Sequence, residues 1–600
     1  MNDQNKNMIL AIVLSMLVLV GWTYFFPPVV PDENPVAVTQ VDGAVSVPGV
    51  DGAAIAVTPA IPQSPSEARE TALAETARID IKTASLQGSI SLLGGRIDDL
   101  HLSNYNVELN DPSEKVVLLS PATSDDPYYA WYGWAPAGGI DAALLPGATT
   151  VWDIESGTTL TETTPVNLVW DNGAGLIFRR AISVDEKYMF AITQSVENNT
   201  GSSVAMFPYG IIARQGEPET LGFYLLHEGI VRFVDSELEE IDYNDMPDQT
   251  FDQNEQGNVD KIKVESSGWT GMTDKYWMTT LIPQKGQPFT SVSRFIPASD
   301  HYQAEARLPV MQIAAGQSAE VTTSLFAGAK EVATIQAYEE NNDIENFVDS
   351  VDWGMFFFLT KPIFFLLSFI HGLVGNMGWA IIGLTFTIKA MLFPLAYKSY
   401  VSMSKMKKLQ PELTILKEKV GDDKAKLQKE MMALYKKEKV NPMSGCLPIF
   451  LQMPIFFSLY KVLFVTIEMR HAPFIGWIHD LSAPDPTSWM NLFGAIPFTV
   501  PEFLGILSIG VFPILMGVTM WMQQRLNPAP ADKTQQMIFA WMPWVFMFML
   551  GRFASGLVIY WVANNTITFT QQYVIMRTQG VKPDVFGNII SSIKRTKSED

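Results

Sequence analysis

At 600 residues, with 63 Asp and Glu against 42 Lys and Arg and a net charge of −21, the chain is too long for one ordinary core. The acidity is local: residues 27–350 hold 17 basic against 47 acidic residues, so this part repels phosphate and is excluded as a nucleic-acid-binding domain, while the remainder is basic. A single cysteine, Cys446, excludes any intrachain disulfide and reads as a small buried hydrophobe.

The uncharged run at 8–26 is long enough to cross a hydrocarbon core of about 30 Å. It leaves through GWTYFFPPVVP without a small-x-small cleavage site, and Trp22 and Tyr24 suit the interface, so residues 1–26 read as an uncleaved transmembrane anchor. Residues 27–75, rich in Pro, Ala, Val, Gly and Ser without periodicity, read as a flexible linker. From 76 the pattern becomes short alternating or β-branched runs such as IDIKTASL, LIFRRAISV and YMFAITQSV, separated by turn residues. That predicts a large all-β sandwich over 76–350, ending in a short helix from 331. Residues 351–375 are apolar but carry Lys361, Pro362 and His371, which fits a helix lying along the membrane interface.

Crossing spans are expected near 376–396, 446–466, 505–523, 537–553 and 556–576, making six with the anchor. Between the first two of these, residues 397–445 hold twelve lysines against six acids in two helical stretches joined at Gly421-Asp422-Asp423. Lysine excess in a short connection marks the cytoplasmic side, and the tail at 578–600 adds Lys582, Lys594, Arg595 and Lys597. Both termini are then cytoplasmic, and the β domain and the loop at 469–504 lie outside. The expected fold class is a membrane protein with an α-helical core of five spans plus an N-terminal anchor, a large all-β outer domain and a cytoplasmic helical hairpin.

Lys389 interrupts an otherwise apolar stretch. Counted back along a straight helix from Lys398 it lies about 13 Å inside the span, too far for a lysine stem to reach water fully. It should face protein or trapped water, with Thr385 one turn earlier on the same wall. In the last span Tyr560, Asn564, Thr568 and Gln571 follow one another at helical spacing, a stripe that a lipid-facing helix would not carry. Such groups serve either as hydrogen-bond links between helices or, with Lys389, Thr385 and Gln452, as the lining of one wet compartment. Trp561 reads from the pattern alone as an ordinary span residue. Met403, Met406, Met431 and Met432 on the basic hairpin suit either packing within it or contact with an apolar client.

Enzymatic signatures are missing. There is no HExxH, no Walker-type phosphate loop, and none of the six histidines falls in the last two spans, so no catalytic residue, metal or cofactor is expected. Two other classes remain open to the residues: a channel or transporter with an intramembrane polar site, and a membrane-tethered carbohydrate-binding or carbohydrate-processing module using the acidic sandwich.

The segments FTIKAMLFPL (386–395), GDDKAKLQKEMMALYKKEKVNP (421–442), GCLPIFLQMPIFFSLY (445–460), RHAPFIGWIHDLSAPDP (470–486) and ASGLVIYWVANN (554–565) resemble, in order and spacing, the YidC family of membrane protein insertases in its Gram-negative form. The resemblance implies a five-span core around a hydrophilic, positively charged groove that is open to cytoplasm and lipid and closed outward, with a periplasmic β-supersandwich. It implies an inner-membrane insertase and chaperone, with nascent membrane proteins as clients, the lipid bilayer around it, and the Sec translocon and the ribosome as partners, the latter through the basic hairpin and tail. Lys389, Thr385, Tyr560 and Trp561 are the client-groove residues so implied, and Gln452 and Asn564 join them from the polar pattern of the spans. The chain departs from the family where Lys389 takes the place of a usual arginine, losing the planar fork, and where Trp561 stands at the position of a frequent second tyrosine.

Overall fold

A computed structural model describes residues 65–585 except 110, 139, 219–225, 422, 439, 441–446, 497–499, 501–504, 506, 529–532 and 584. The expected anchor at 1–26, the linker as far as residue 64, Cys446 and the tail from 586 lie outside the described residues. Within the expected linker, however, helix α1 (Pro65–Ala74) forms. Its sequence, PSEARETALA, opens on proline and is dense in strong helix formers, and Arg69 ties it to the β domain through Asp99.

Between Arg78 and Ala329 the described strands form two sheets, one of twelve strands and one of nine. The alternating runs make the strands expected of them. Leu176–Val184 pairs antiparallel with Met189–Asn198, placing Ile182 opposite Ile192, and alternate side chains enter the core. Residues from both sheets share one apolar core, in which the rings of Trp134 and Phe178 meet across the layers at 6.4 Å. Arg180 fastens the layers: its guanidinium, 1% exposed, donates to the carbonyls of Gly94, Gly95 and Tyr132 and lies 4.6 Å from the Trp152 ring. Carbonyls thus take both terminal nitrogens, while the shielded Nε has no hydrogen-bond partner, and among the described residues no carboxylate pairs with the guanidinium. Gly95, at φ +61°, is required there because a Cβ would collide with that guanidinium.

After the sheets come α2 (Val332–Asn341), α3 (Phe357–Val374), α4 (Met377–Met391), α5 (Phe393–Val420), α6 (Lys424–Lys437), α7 (Leu447–Val465), α8 (Val511–Leu526), α9 (Lys533–Leu550) and α10 (Ser555–Thr578). Each of the five expected crossings coincides with a helix, but two differ in extent. The span expected at 376–396 breaks at Leu392, and α5 leaves α4 at 69°. Pro394 explains the break, since it sits in the first turn of α5 and restricts the residue before it. The span expected at 505–523 begins only at Val511. By length and composition α3 alone among the described helices would cross a bilayer, or two spans if α4 and α5 count as one bent crossing. Gly421 ends α5 at φ +68°, and Asp423 caps α6 by accepting from the Lys426 N–H at 3.0 Å. Between α3 and α4, Gly375 takes the left-handed φ of +70°, and Asn376 caps α4 while donating to the carbonyls of Pro473 and Phe474 at 3.1 and 3.0 Å.

The β domain meets the helices along residues 461–470. Asp352 accepts from Lys461 of α7 and from the His227 backbone N–H at 2.9 Å. Glu468 accepts from the Val332 N–H at the start of α2, Arg470 donates to the carbonyls of Asn106 and Val107, and the Lys275 ammonium lies 3.8 Å from the Phe464 ring centre. Both ring nitrogens of His227 face acceptors, Asp242 Oδ1 at 2.7 Å and the Ile230 carbonyl at 2.9 Å, so only the imidazolium satisfies both. Burial opposes that charge, but the Asp242 hydrogen bond and the nearby Glu240 and Asp242 outweigh it and raise the pKa. Burial also pushes the Glu468 carboxyl up to about 7.

These two shifts act in one direction. A raised histidine stabilises the joint fully below its unfolded value and loses that contribution as pH rises through the folded one, and a carboxyl raised from 4.5 to about 7 does likewise. The unfolding temperature of the full chain in detergent is therefore expected to fall as pH rises from 4.5 through about 7, with His227 adding to the loss above its ordinary value of about 6.5, and to fall less steeply in the His227→Gln, Glu468→Gln double variant. An unchanged slope would assign the pH dependence to other groups.

Candidate functional site

Three helices bring Lys389, Gln452 and Tyr560 together from positions 63 and 108 residues apart. The Lys389 ammonium, in the last turn of α4, donates to Gln452 Oε1 of α7 at 3.1 Å. Gln452 Nε2 in turn donates to the buried Tyr560 hydroxyl of α10 at 2.9 Å. One amide thus accepts on one side and donates on the other, which a glutamine side chain alone among the neutral residues of this length can do. Among the described residues no carboxylate pairs with Lys389, so its positive charge stays unneutralised. The partial negative charge of the α4 C-terminus is the remaining local support for it. The bend at Leu392 corrects the depth expected from a straight helix: Lys389 lies two residues from the end of α4, and the count back from Lys398 does not apply.

The other expected site residues divide. Trp561 stacks on Phe456 at 5.7 Å and 19° and meets Phe553 edge-on at 6.1 Å, forming an aromatic wall beside Tyr560. Asn564, one turn beyond Tyr560, donates to Asn565 Oδ1 at 3.4 Å and leaves its own shielded Oδ1 without a hydrogen-bond partner. Thr385 does not join the chain. It is 2% exposed and its hydroxyl donates back to the Ile381 carbonyl at 2.7 Å, so the helix itself satisfies it.

Sequence reasoning placed the polar stripe of α10 one residue off its buried centre. Tyr560 and Thr568 are buried, but Asn565 and Gln572 are as well, whereas Asn564 and Gln571 are only half-buried. Gln572 donates to Asn527 Oδ1 at 3.1 Å, linking α10 to the end of α8. Tyr400 and Ser404 of α5 are buried too and went unnoticed. The spacings 565, 568 and 572, and 400 and 404, are those of one helical face and were available as a signal. Among the described residues no cluster of His, Cys, Asp and Glu could hold a metal ion. What the arrangement offers chemically is a cation, an amide and a hydroxyl in one hydrogen-bonded chain.

Comparison with known proteins covers both parts of the chain. Residues 78–366 match the family described as YidC periplasmic domain, and residues 369–582 match the family described as 60Kd inner membrane protein. The membrane protein insertase YidC of Dinoroseobacter shibae is 58% identical over 611 residues, and that of Jannaschia sp. is 55% identical over 629, each alignment covering 100% of both chains. A solved structure described as an active YidC insertase with its first transmembrane domain resolved aligns over 83% of this chain and 92% of its own, at 16% identity and a TM-score of 0.35.

Replacing Gln452 with Leu strips Lys389 of its acceptor and Tyr560 of its donor at once. Gln452→Leu is expected to destabilise the full chain by about 1–3 kcal/mol, read as a lower unfolding temperature in detergent. Adding Tyr560→Phe to it should cost less than the two single changes sum to, because the partners share one network. Additive losses would mean that the two side chains act separately.

Proposed function

The chain belongs to the YidC family of membrane protein insertases, and from that premise we propose that the Lys389–Gln452–Tyr560 chain, with Trp561 and Asn564 beside it, is where the hydrophilic segment of a client is received. The protein is an inner-membrane insertase with a periplasmic domain, and the channel and carbohydrate-module alternatives are not favoured by its relatives. The observation that carries the reading is the ammonium without a carboxylate partner among the described residues, held among three helices by a neutral amide. An unneutralised charge part-way into the membrane, beside low-dielectric surroundings, attracts acidic residues of an incoming segment more strongly than one in bulk water. Around it, a wet recess shortens the apolar distance that a polar tail must cross. The driving force is burial of the client's own apolar segment in lipid, at about 25 cal/mol per Å², assisted by the membrane potential. No bond is made or broken.

In this reading α4, α7, α8, α9 and α10 form the five-span core, with the lysine-rich α5–α6 hairpin and both termini on the cytoplasmic side. Helix α3 lies along the outer interface in spite of its length. Its support is that both ends meet the same stretch of chain: Gly354 abuts Lys461 near the end of α7, and Asn376 holds the carbonyls of Pro473 and Phe474 just beyond it. A helix crossing the bilayer would part its ends to opposite faces. The basic hairpin and tail are the surfaces for a ribosome, and the Sec translocon is a further partner.

Lys389→Ala is expected to lower insertion of a client with an acidic translocated tail by on the order of tenfold, the factor that about 1.4 kcal/mol supplies, while Lys389→Arg retains most activity. Insertion of a client with an uncharged tail should change little. Equal insertion by all three proteins, measured in proteoliposomes, would remove the charge from the mechanism.

A further inference from the structure

A cavity of about 570 Å³ lies where α2 of the β domain, α3 and the segment after α7 come together. Its wall is mixed. Phe364 and Phe365 of α3 supply apolar surface, Ser368 and His371 of the same helix supply a hydroxyl and an imidazole, and Glu468 and Arg470 supply one carboxyl and one guanidinium two residues apart. Arg470 gives its Nη2 to the carbonyls of Asn106 and Val107, which fixes the guanidinium, but its Nη1 is shielded from solvent and has no hydrogen-bond partner. Glu468 is in the same condition: Oε1 accepts from Val332, and the shielded Oε2 accepts from nothing. Neither residue pairs with an ion of opposite sign among the described residues. Phe365 both lines the cavity and is 42% exposed, and helical spacing puts it on the same face of α3 as the exposed Phe358, Phe369 and Leu373.

We propose that this cavity binds the headgroup of a zwitterionic phospholipid from the outer leaflet, with the phosphate at Arg470, His371 and Ser368, the amino group at Glu468, and the acyl chains leaving over Phe365 and Phe369. The paired opposite charges select a zwitterion over a simple anion, because a bare phosphate would face Glu468 unneutralised. Continuity with the exposed apolar face selects a lipid over a soluble headgroup, since only a lipid covers both surfaces. The inference rests on α3 lying along the outer interface. A lipid so placed would wedge between the β domain and the helical core and hold α2 and α3 at a set spacing.

Native mass spectrometry of the full-length protein with palmitoyl-oleoyl-phosphatidylethanolamine tests it. Wild type is expected to retain one more lipid than Ser368→Trp, which fills the cavity from an exposed position and leaves both charges in place, and His371→Leu is expected to weaken retention severalfold. Equal retention by wild type and both variants overturns the proposal, as does an increase in unfolding temperature from inorganic phosphate as large as that from the lipid. A nitroxide at Phe369→Cys in a Cys446→Ser background reads the depth of α3 separately. A shallow label with equal lipid retention overturns the lipid site while leaving the placement of α3 intact, and a label at the bilayer centre overturns both.

Discussion

An ammonium group inside an array of apolar helices is tolerable only if other helices supply its partners, and the rest of the core is arranged around that need. Gln452 and Tyr560 meet it with neutral groups. A carboxylate would bind the charge more tightly and would also cancel it. The neutral amide holds the ammonium in place and leaves its field available, which is the property that the proposed reception of an acidic segment requires. The aromatic wall of Phe456, Phe553 and Trp561 bounds the site on one side and lowers the local dielectric, strengthening that field.

The β domain is held by a second set of polar contacts of a different character. Lys461, Glu468 and Arg470, within and just after α7, reach Asp352, the start of α2 and the carbonyls of Asn106 and Val107. Helix α7 therefore carries Gln452 near one end and the docking residues at the other. Movement of the β domain relative to the core is thereby restrained at the helix that also positions the ammonium. His227 and Glu468 are the groups at this joint whose protonated forms the surroundings favour, whereas the carbonyl-bound Arg180 inside the sandwich holds the sheets without a carboxylate partner among the described residues.

Much of this was legible from residue patterns, for reasons that differ by element. The strands were readable because a half-buried strand imposes a period of two, and Leu176–Val184 keeps it without error. Lys389, Gln452 and Tyr560 were readable as polar interruptions in apolar runs, but that they touch was not, since 63 and 108 residues separate the pairs. The break at Leu392 had a signal in Pro394 that hydropathy masked, because the apolar run continues through it. Thr385 was misassigned for a physical reason: a helical threonine satisfies its own hydroxyl on the preceding turn, and spacing does not reveal which way it turns. The joint was illegible, because Glu468 and Val332 lie 136 residues apart and neither carries a motif.

The proposed function requires water to reach the Lys389 site from the cytoplasm and to be shut out on the opposite side. Alkylation of Asn564→Cys in a Cys446→Ser background, by a membrane-impermeant maleimide applied to each face of sealed vesicles, measures this while leaving the Lys389–Gln452–Tyr560 chain in place. Labelling from the cytoplasmic face alone is the expected result. Labelling from the outer face, or from neither, would contradict a solvated recess that ends within the membrane.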